Sequence, residues 1–363
     1  LPCFDVLILR RNTGARVTLS PFLSSLGTLA LATAGGYVAH LLRMPLAWMI
    51  GAMVATAALA WRHHAAVPGF SRPAGLLVLG LALGQTFTAP VIAAVAGALP
   101  VILAAAVLSI LAGLAVGPIL QRLGGLDGRT AFFAGVPGGL MVMVVLAARA
   151  GVSIAPVTLS QTMRLVVVVL VFPPLLAALA GGSHDTSFQA ARPDVWWPGL
   201  AMLAAGGAAL GSAGQRAGFA NPWMFGPCLL AIGLSAAGRL PSGVWMPLVD
   251  AAQVALGASV GVKLTRDFIL GARRLAFASF ISTIALSLLL IAVAVVLALI
   301  GGLPIPAVIL GMAPGGMPEM TVTAKALDLA VPLVLGFHLT RTLLCNLIVA
   351  PIWRIAERLG LGG

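Results

Sequence analysis

Residues 311–320 read Gly311-Met312-Ala313-Pro314-Gly315-Gly316-Met317-Pro318-Glu319-Met320, and an earlier stretch, 134–140, reads Ala134-Gly135-Val136-Pro137-Gly138-Gly139-Leu140. Both lie in the middle of apolar segments. Proline lacks an amide hydrogen and glycine tolerates unusual dihedrals, so Pro-Gly-Gly breaks a helix at each place. The flanking pieces, 130–136 with 139–149 and 306–312 with 317–326, are each about half a bilayer long. Backbone freed at membrane depth is tolerated only where protein or water covers it. Transporters with inverted repeats use such broken elements to present amide and carbonyl groups near the midplane. A packing kink in a full crossing is the plainer alternative.

The rest of the chain places these breaks in a membrane. Sixty per cent of the 363 residues are apolar and 8% are charged, whereas soluble domains carry roughly 25% charged residues. Mean hydropathy is +1.10. Apolar runs of spanning length recur at 22–42, 101–120, 154–180 and 275–302, and there is room for about ten spans of roughly 20 residues. The net charge of +12 does not point to nucleic acid. The basic residues stand singly or in small groups between apolar runs, as membrane anchors do, not on one face of a polar domain. Cys3, Cys228 and Cys345 form no metal spacing and no disulfide framework. Arg10, Arg11 and Arg16 precede the first apolar run, which reads as a retained span rather than a cleaved leader.

The chain repeats itself at an offset of 177 residues. Leu79-Gly80, Gly84 and Thr88 match Leu256-Gly257, Gly261 and Thr265. The two Pro-Gly-Gly triplets match, as do Met143 and Met320, Arg164 and Arg341, and Pro174 and Pro351. Each half holds six apolar segments. If all six cross, the halves are parallel; if the Pro-Gly-Gly segment is re-entrant, five cross and the halves are inverted. Lys and Arg collect on the cytoplasmic side. Twelve crossings with the N-terminus inside put 11 basic residues inside and 8 outside. Ten crossings with two re-entrant segments put 15 inside and leave only Arg43, Arg192, Arg239 and Lys325 outside; Arg164 and Arg341 count in neither tally as intramembrane. Corresponding loops also carry opposite loads: 89–98 is uncharged, while 263–274 holds Lys263, Arg266, Arg273 and Arg274. The expectation is therefore an all-α integral membrane protein of about ten transmembrane helices in two inverted repeats, each with a Pro-Gly-Gly re-entrant or broken helix. It divides into a cytoplasmic N-terminal segment 1–19, a first membrane repeat 20–180, a linker 181–194 and a second membrane repeat 195–356, with both termini cytoplasmic.

Ionisable groups inside a bilayer are costly, so each is a functional candidate. Glu319 follows the second break and suits a proton, a cation or a structural ion pair; the matching position near Val142 is apolar. Arg164 and Arg341 hold equivalent places, with Gln161 and His338 three residues before them, a spacing that shares a helix face. Such an arginine can fork a carboxylate or phosphate, tether the hairpin or partner Glu319. His338 titrates near neutrality and suits a relay or plain packing. Asp250 shares a face with Gln253 and is a site candidate or an interfacial residue. The backbone of Gly138, Gly139, Gly315 and Gly316 completes the candidate substrate or ion site. Asn346 and Gln85 are weaker candidates, and Met141, Met143, Met317 and Met320 suit packing better than a lining. No nucleotide loop and no zinc helix motif occurs, and no His or Cys cluster suits copper or zinc. No catalytic residue, metal or cofactor is expected.

The two glycine-rich motifs, in a duplicated membrane chain of this length, make the sequence resemble the bacterial AbrB-type membrane protein family from about residue 20 onward. That family is often labelled ammonia monooxygenase and is distinct from the small DNA-binding regulator of the same name. The resemblance implies a bacterial inner-membrane protein linked to regulation of gene expression. The residues themselves favour a secondary transporter of a small solute, an anion suiting the arginines, coupled to a proton or cation. Its partners are then the bilayer and that solute, with no nucleic acid; association as a homo-oligomer stays open. A membrane regulator contacting partners through 263–274 is the alternative, and a membrane enzyme subunit a third.

Overall fold

The computed structural model describes residues 21–179, 193–219 and 221–358. Segment 1–19 and most of the 181–194 linker lie outside the described residues. Every regular element among those described is a helix. The first half holds α1 (Pro21–Leu41), α2 (Ala47–Arg62), α3 (Ser71–Gly84), α4 (Ala89–Gly97), α5 (Leu99–Ala115), α6 (Gly117–Gly124), α7 (Gly128–Gly135), α8 (Leu140–Arg149) and α9 (Ile154–Leu179). The second holds α10 (Trp197–Arg216), α11 (Pro222–Ala236), α12 (Met246–Gly261), α13 (Arg266–Leu270), α14 (Arg273–Gly301), α15 (Ile305–Met312), α16 (Met317–Ala326) and α17 (Val331–Arg358). Adding 177 to the bounds of α7 and α8 gives those of α15 and α16, and the starts of α4 and α9 map onto those of α13 and α17 in the same way. The duplication legible in a few landmarks thus extends to the order and length of the helices. One difference is that α5 and α6, nearly continuous, correspond to the single helix α14.

Proline sets many of the starts. Pro90, Pro100, Pro247, Pro306 and Pro318 occupy the first or second helical position, where a missing N–H costs nothing. Among the described residues, three helices are long and apolar enough to cross a bilayer, at Leu99–Gly124, Ile154–Ala178 and Arg273–Gly301. The pair α3 and α4 makes a fourth if counted together, although it bends by 89°. Their outward surfaces are apolar: Leu288, Leu299 and Ile300 of α14 are 63%, 68% and 76% exposed. Such surface is tolerable against lipid tails and costly in water.

The halves are not two separate bundles. One core cluster draws on both, from Met49 and Leu79 to Leu256 and Leu333. The helix α2 packs on α12, and α11 packs on α3. Since α11 is the counterpart of α2 and α12 of α3, this is one contact made twice with the halves exchanged. Small residues make it possible, as in other membrane helix pairs. A Cβ on Gly80 would stand 2.6 Å from the Met224 carbonyl oxygen, and one on Gly261 2.6 Å from that of Met53. These glycines are therefore needed for backbone-to-backbone approach.

The α5–α6 unit packs on its own counterpart, α14, and the two run antiparallel. At one end the Arg274 guanidinium donates from Nε to the Leu123 carbonyl at 2.7 Å and from Nη2 to that of Arg122 at 3.2 Å. At the other end Gly301 lies against Val101.

Overpacking costs about 1–3 kcal/mol. Gly80→Val and Gly261→Val should each lower stability by about that much or more, measured by thermal unfolding of the purified protein in detergent. Gly233→Ala, where an added Cβ meets nothing within 4 Å, should leave the midpoint unchanged or slightly raised.

Candidate functional site

The Pro-Gly-Gly breaks strand the last carbonyls of α7 and α15, because Pro137 and Pro314 offer no N–H to continue the ladder. In the first half Gln161 Nε2 donates to the carbonyls of Phe133, Ala134 and Val136 at 3.0, 3.2 and 3.1 Å. Arg164 Nη1 donates to Gly135 and Val136, each at 3.2 Å, and its Nη2 donates to Gln161 Oε1. In the second half His338 Nε2 meets the Leu310 carbonyl at 3.1 Å. Arg341 donates to the carbonyls of Met312, Ala313 and Gly315 at 3.3, 2.8 and 3.1 Å and meets His338 Nδ1 at 2.9 Å. The accepting carbonyls 133, 135 and 136 in one half correspond to 310, 312 and 313 in the other. Arg164 and Arg341 are thus clamps on the negative ends of half-helices, where a cation is also favoured by the helix dipole. The network assigns the tautomer of His338: Nε2–H donates to Leu310, and Nδ1 accepts from Arg341. With both ring nitrogens committed, His338 acts as a hydrogen-bonding spacer.

On the other side of each break a helix begins. Neither Gly139, at the start of α8 with φ +86°, nor Gly316, at the start of α16, supplies a side-chain cap. Both starts face one cavity, lined also by Arg72, Thr162, Lys263, Glu319, Arg341 and Thr342. Its ≈ 70 Å³ of space open to water-sized molecules exceeds the roughly 10–15 Å³ that one water needs. It has room for a few waters or a small ion. Glu319, in the first turn of α16 and 2% exposed, has an Oε2 with no hydrogen-bond partner among the described residues. The same is true of Thr162 Oγ1. Arg72, at the start of α3, lines the same cavity.

The structure therefore brings Glu319, Arg341, Gly138, Gly139, Gly315 and Gly316 to one cavity and puts Arg164, Gln161 and His338 behind it as supports. Asp250 does not join them. It lies half-buried in a separate, mainly apolar groove of ≈ 680 Å³ beside α1 and α3, near Gln253 Nε2 at 3.4 Å. Gln85 Oε1 accepts from Val244 N–H at 3.2 Å and its carbonyl from Ser235 Oγ at 2.9 Å, tying the α3–α4 bend to the second half. Met143 and Met320 pack over Gly138 and Gly315, while Met317 lines the cavity. The side chains of Met141 and Asn346 lie outside the described residues. Sequence reasoning missed Arg72, Lys263 and Thr162. The first two read as loop charges by their position between apolar runs, and a lone threonine carries no signal.

These features define an all-helical membrane protein whose paired broken helices converge on a buried, charged cavity. A family model described as "Transition state regulatory protein AbrB" matches residues 48–357, and the chain belongs to the AbrB family. It is 29% identical to "Uncharacterized protein YhjN" of Bacillus subtilis (strain 168), over 93% of this chain and 94% of that protein.

Each carbonyl left unsatisfied in a buried site costs about 1–3 kcal/mol. Arg164→Met and Arg341→Met should each destabilise the detergent-solubilised protein by about 3 kcal/mol or more. Lysine should not rescue, since an ammonium cannot reproduce the planar fork. Equal stability of Arg341→Lys and the parent would refute the clamp.

Proposed function

We propose that this protein is a secondary transporter of a small anionic solute, coupled to a proton or cation, with about ten spans in two inverted repeats in a bacterial inner membrane and both termini in the cytoplasm. The observation that carries this reading is the cavity. Two half-helix starts, Arg72, Lys263 and one edge of Arg341 line a cavity with a buried carboxylate, one oxygen of which has no partner among the described residues. Helix starts favour anions, and fixed cations in a low-dielectric cleft raise the local anion concentration. An enzyme subunit would need a reactive constellation, and the cavity residues suggest binding rather than bond cleavage.

The antiparallel pairing of 99–124 with 273–301 supports inversion. Twelve crossings would place the end near Arg122 and the end near Arg274 on opposite membrane faces, yet these ends are hydrogen-bonded to each other. Arg72 and Lys263, both assigned to the cytoplasmic side by charge, are part-exposed cavity residues. The cavity then opens inward.

In a cysteine-free background, Gln121→Cys and Arg273→Cys should react with a membrane-impermeant thiol reagent only from the cytoplasmic side, and Asp328→Cys only from the outside. Labelling of Arg273→Cys together with Asp328→Cys would overturn the topology. A thermal-shift screen of the purified protein should find organic anions as stabilisers, by about 2.7 kcal/mol at a hundredfold excess over Kd. Stabilisation by cationic or neutral solutes alone would count against an anion carrier.

The description of the family model favours a second reading, a membrane-embedded regulator of gene expression. Its contact surface would be the 263–274 segment, where Arg266, Arg273 and Arg274 are basic. Arg266→Glu with Arg273→Glu should then abolish the regulatory effect and spare solute binding.

A further inference from the structure

Two polar atoms in this molecule share an unusual situation. Four buried side-chain atoms have no hydrogen-bond partner among the described residues, and two of them, Glu319 Oε2 and Thr162 Oγ1, each on a residue 2% exposed, line the same cavity, whereas Thr56 and Ser279 do not. Buried polar groups are nearly always paired, so two orphans around one space indicate a missing ligand. The pseudo-symmetry sharpens the point. The counterpart of Thr162 is Leu339, and Glu319 falls opposite Val142, so the orphans belong to the site and not to the repeat.

The two helix starts differ in the same way. The first turn of α16 contains Glu319, whereas that of α8 contains no acid. One positive helix end therefore already has its anion and the other does not. Glu319 Oε2 sits over Gly316, with Leu165 of α9 also against that glycine, one helical turn from Thr162. The charged and titratable groups facing Glu319 come from each neighbour among the described residues. They are Arg72 from α3, Lys263 beyond α12, Arg164 from α9, and His338 with Arg341 from α17. α15 brings none. Arg164, Arg341 and His338 are bound to hairpin carbonyls or to each other, and Lys325 lies at the far end of α16, towards Asp250. Arg72 and Lys263, with the edge of Arg341 that lines the cavity, are then left to face an incoming anion.

The shared lining decides the rest. Glu319 borders the same cavity as Gly139, Thr162, Arg72 and Lys263, so an anion seated among these groups shares the space with the Glu319 carboxylate. Two carboxylates forced to share a site retain a proton between them. We propose that a small monocarboxylate seats itself between the start of α8, Thr162 and the Arg72–Lys263 pair, and that it enters with one proton, which Glu319 takes up from the open side. In the empty state of this exchange Glu319 is ionised, its charge offset by the Arg72 and Lys263 that line the same cavity. The occupied cavity has the carboxylate in that role and a protonated Glu319 donating its O–H to it. No bond other than O–H is made, and the net charge of the loaded cavity equals that of the empty one.

This inference rests on the transporter reading and names its solute class and coupling ion. Isothermal titration calorimetry of the purified full-length protein with potassium acetate, lactate and pyruvate tests it. At least one should bind, with uptake of one proton per anion, read from buffers of different ionisation enthalpy. Affinity should fall by up to about tenfold per pH unit from pH 6 to pH 8, because the bound state holds the extra proton. Glu319→Gln, which mimics the protonated acid, should bind the same anion without proton uptake and without pH dependence. Thr162→Val and Arg72→Gln should weaken binding at least tenfold while unfolding at the parent temperature. Binding by the parent without proton uptake, unchanged proton uptake in Glu319→Gln, or no binding of any of the three anions overturns the proposal. If thiol labelling upholds the inverted topology and the thermal-shift screen finds a different solute class, the carrier reading stands and this inference alone falls.

Discussion

A helix that stops inside a bilayer must find partners for the carbonyls it abandons, and everything else in this protein depends on how that is done. Here the partners are one arginine and one amide or imidazole from the following long helix, used in both halves at positions 177 residues apart. Water is a poor substitute at this depth, because it would need its own partners in an otherwise apolar wall. Arginine is suited to the task. It is a fixed cation at the negative end of a helix dipole, and its planar donors reach several carbonyls together. The clamp occupies the Nη groups of the buried arginines. It also leaves the opposite, positive ends of α8 and α16 turned toward the cavity, with Glu319 in the first turn of α16 and no acid in that of α8.

Those ends meet because the halves are packed into each other. The seams at Gly80–Gly84 and Gly257–Gly261 allow backbones to touch, and dispersion between close helices replaces the hydrophobic effect that lipid removes. The exchange of α2–α12 for α3–α11 makes the interface nearly the same from either half. Symmetry of packing then permits asymmetry of chemistry. Once the scaffold holds both hairpins, one copy can keep Glu319 where the other has an apolar residue, and one can keep Thr162 where the other has Leu339.

The cavity combines features that oppose each other. Arg72 and Lys263 lower the cost of burying Glu319, and the helix starts do the same. Together they exceed what one carboxylate neutralises, an arrangement that suits a further anion beside Glu319. Neither a purely structural ion pair nor a wide anion pore would be built this way. A structural pair would use both carboxylate oxygens, and one of these has no partner.

Composition, repeated landmarks and the two Pro-Gly-Gly triplets by themselves determined a duplicated helical membrane protein, the position of each break, and the flanking Gln161–Arg164 and His338–Arg341 pairs, because apolar content and backbone chemistry are local properties. Glu319 was legible as a candidate for the same reason, as a lone carboxylate beside a break. The tertiary structure decided which of these groups have spare valence. The spacing of Gln161 and Arg164 shows a shared face but not that carbonyls 133–136 would occupy it. Asp250 and Lys263 sit near opposite ends of the helix α12, roughly 20 Å apart along its axis. The one that read as a site candidate lies in another groove, and the one that read as a loop charge lines the cavity. That outcome follows from contacts between halves 150 or more residues apart, which no local pattern encodes.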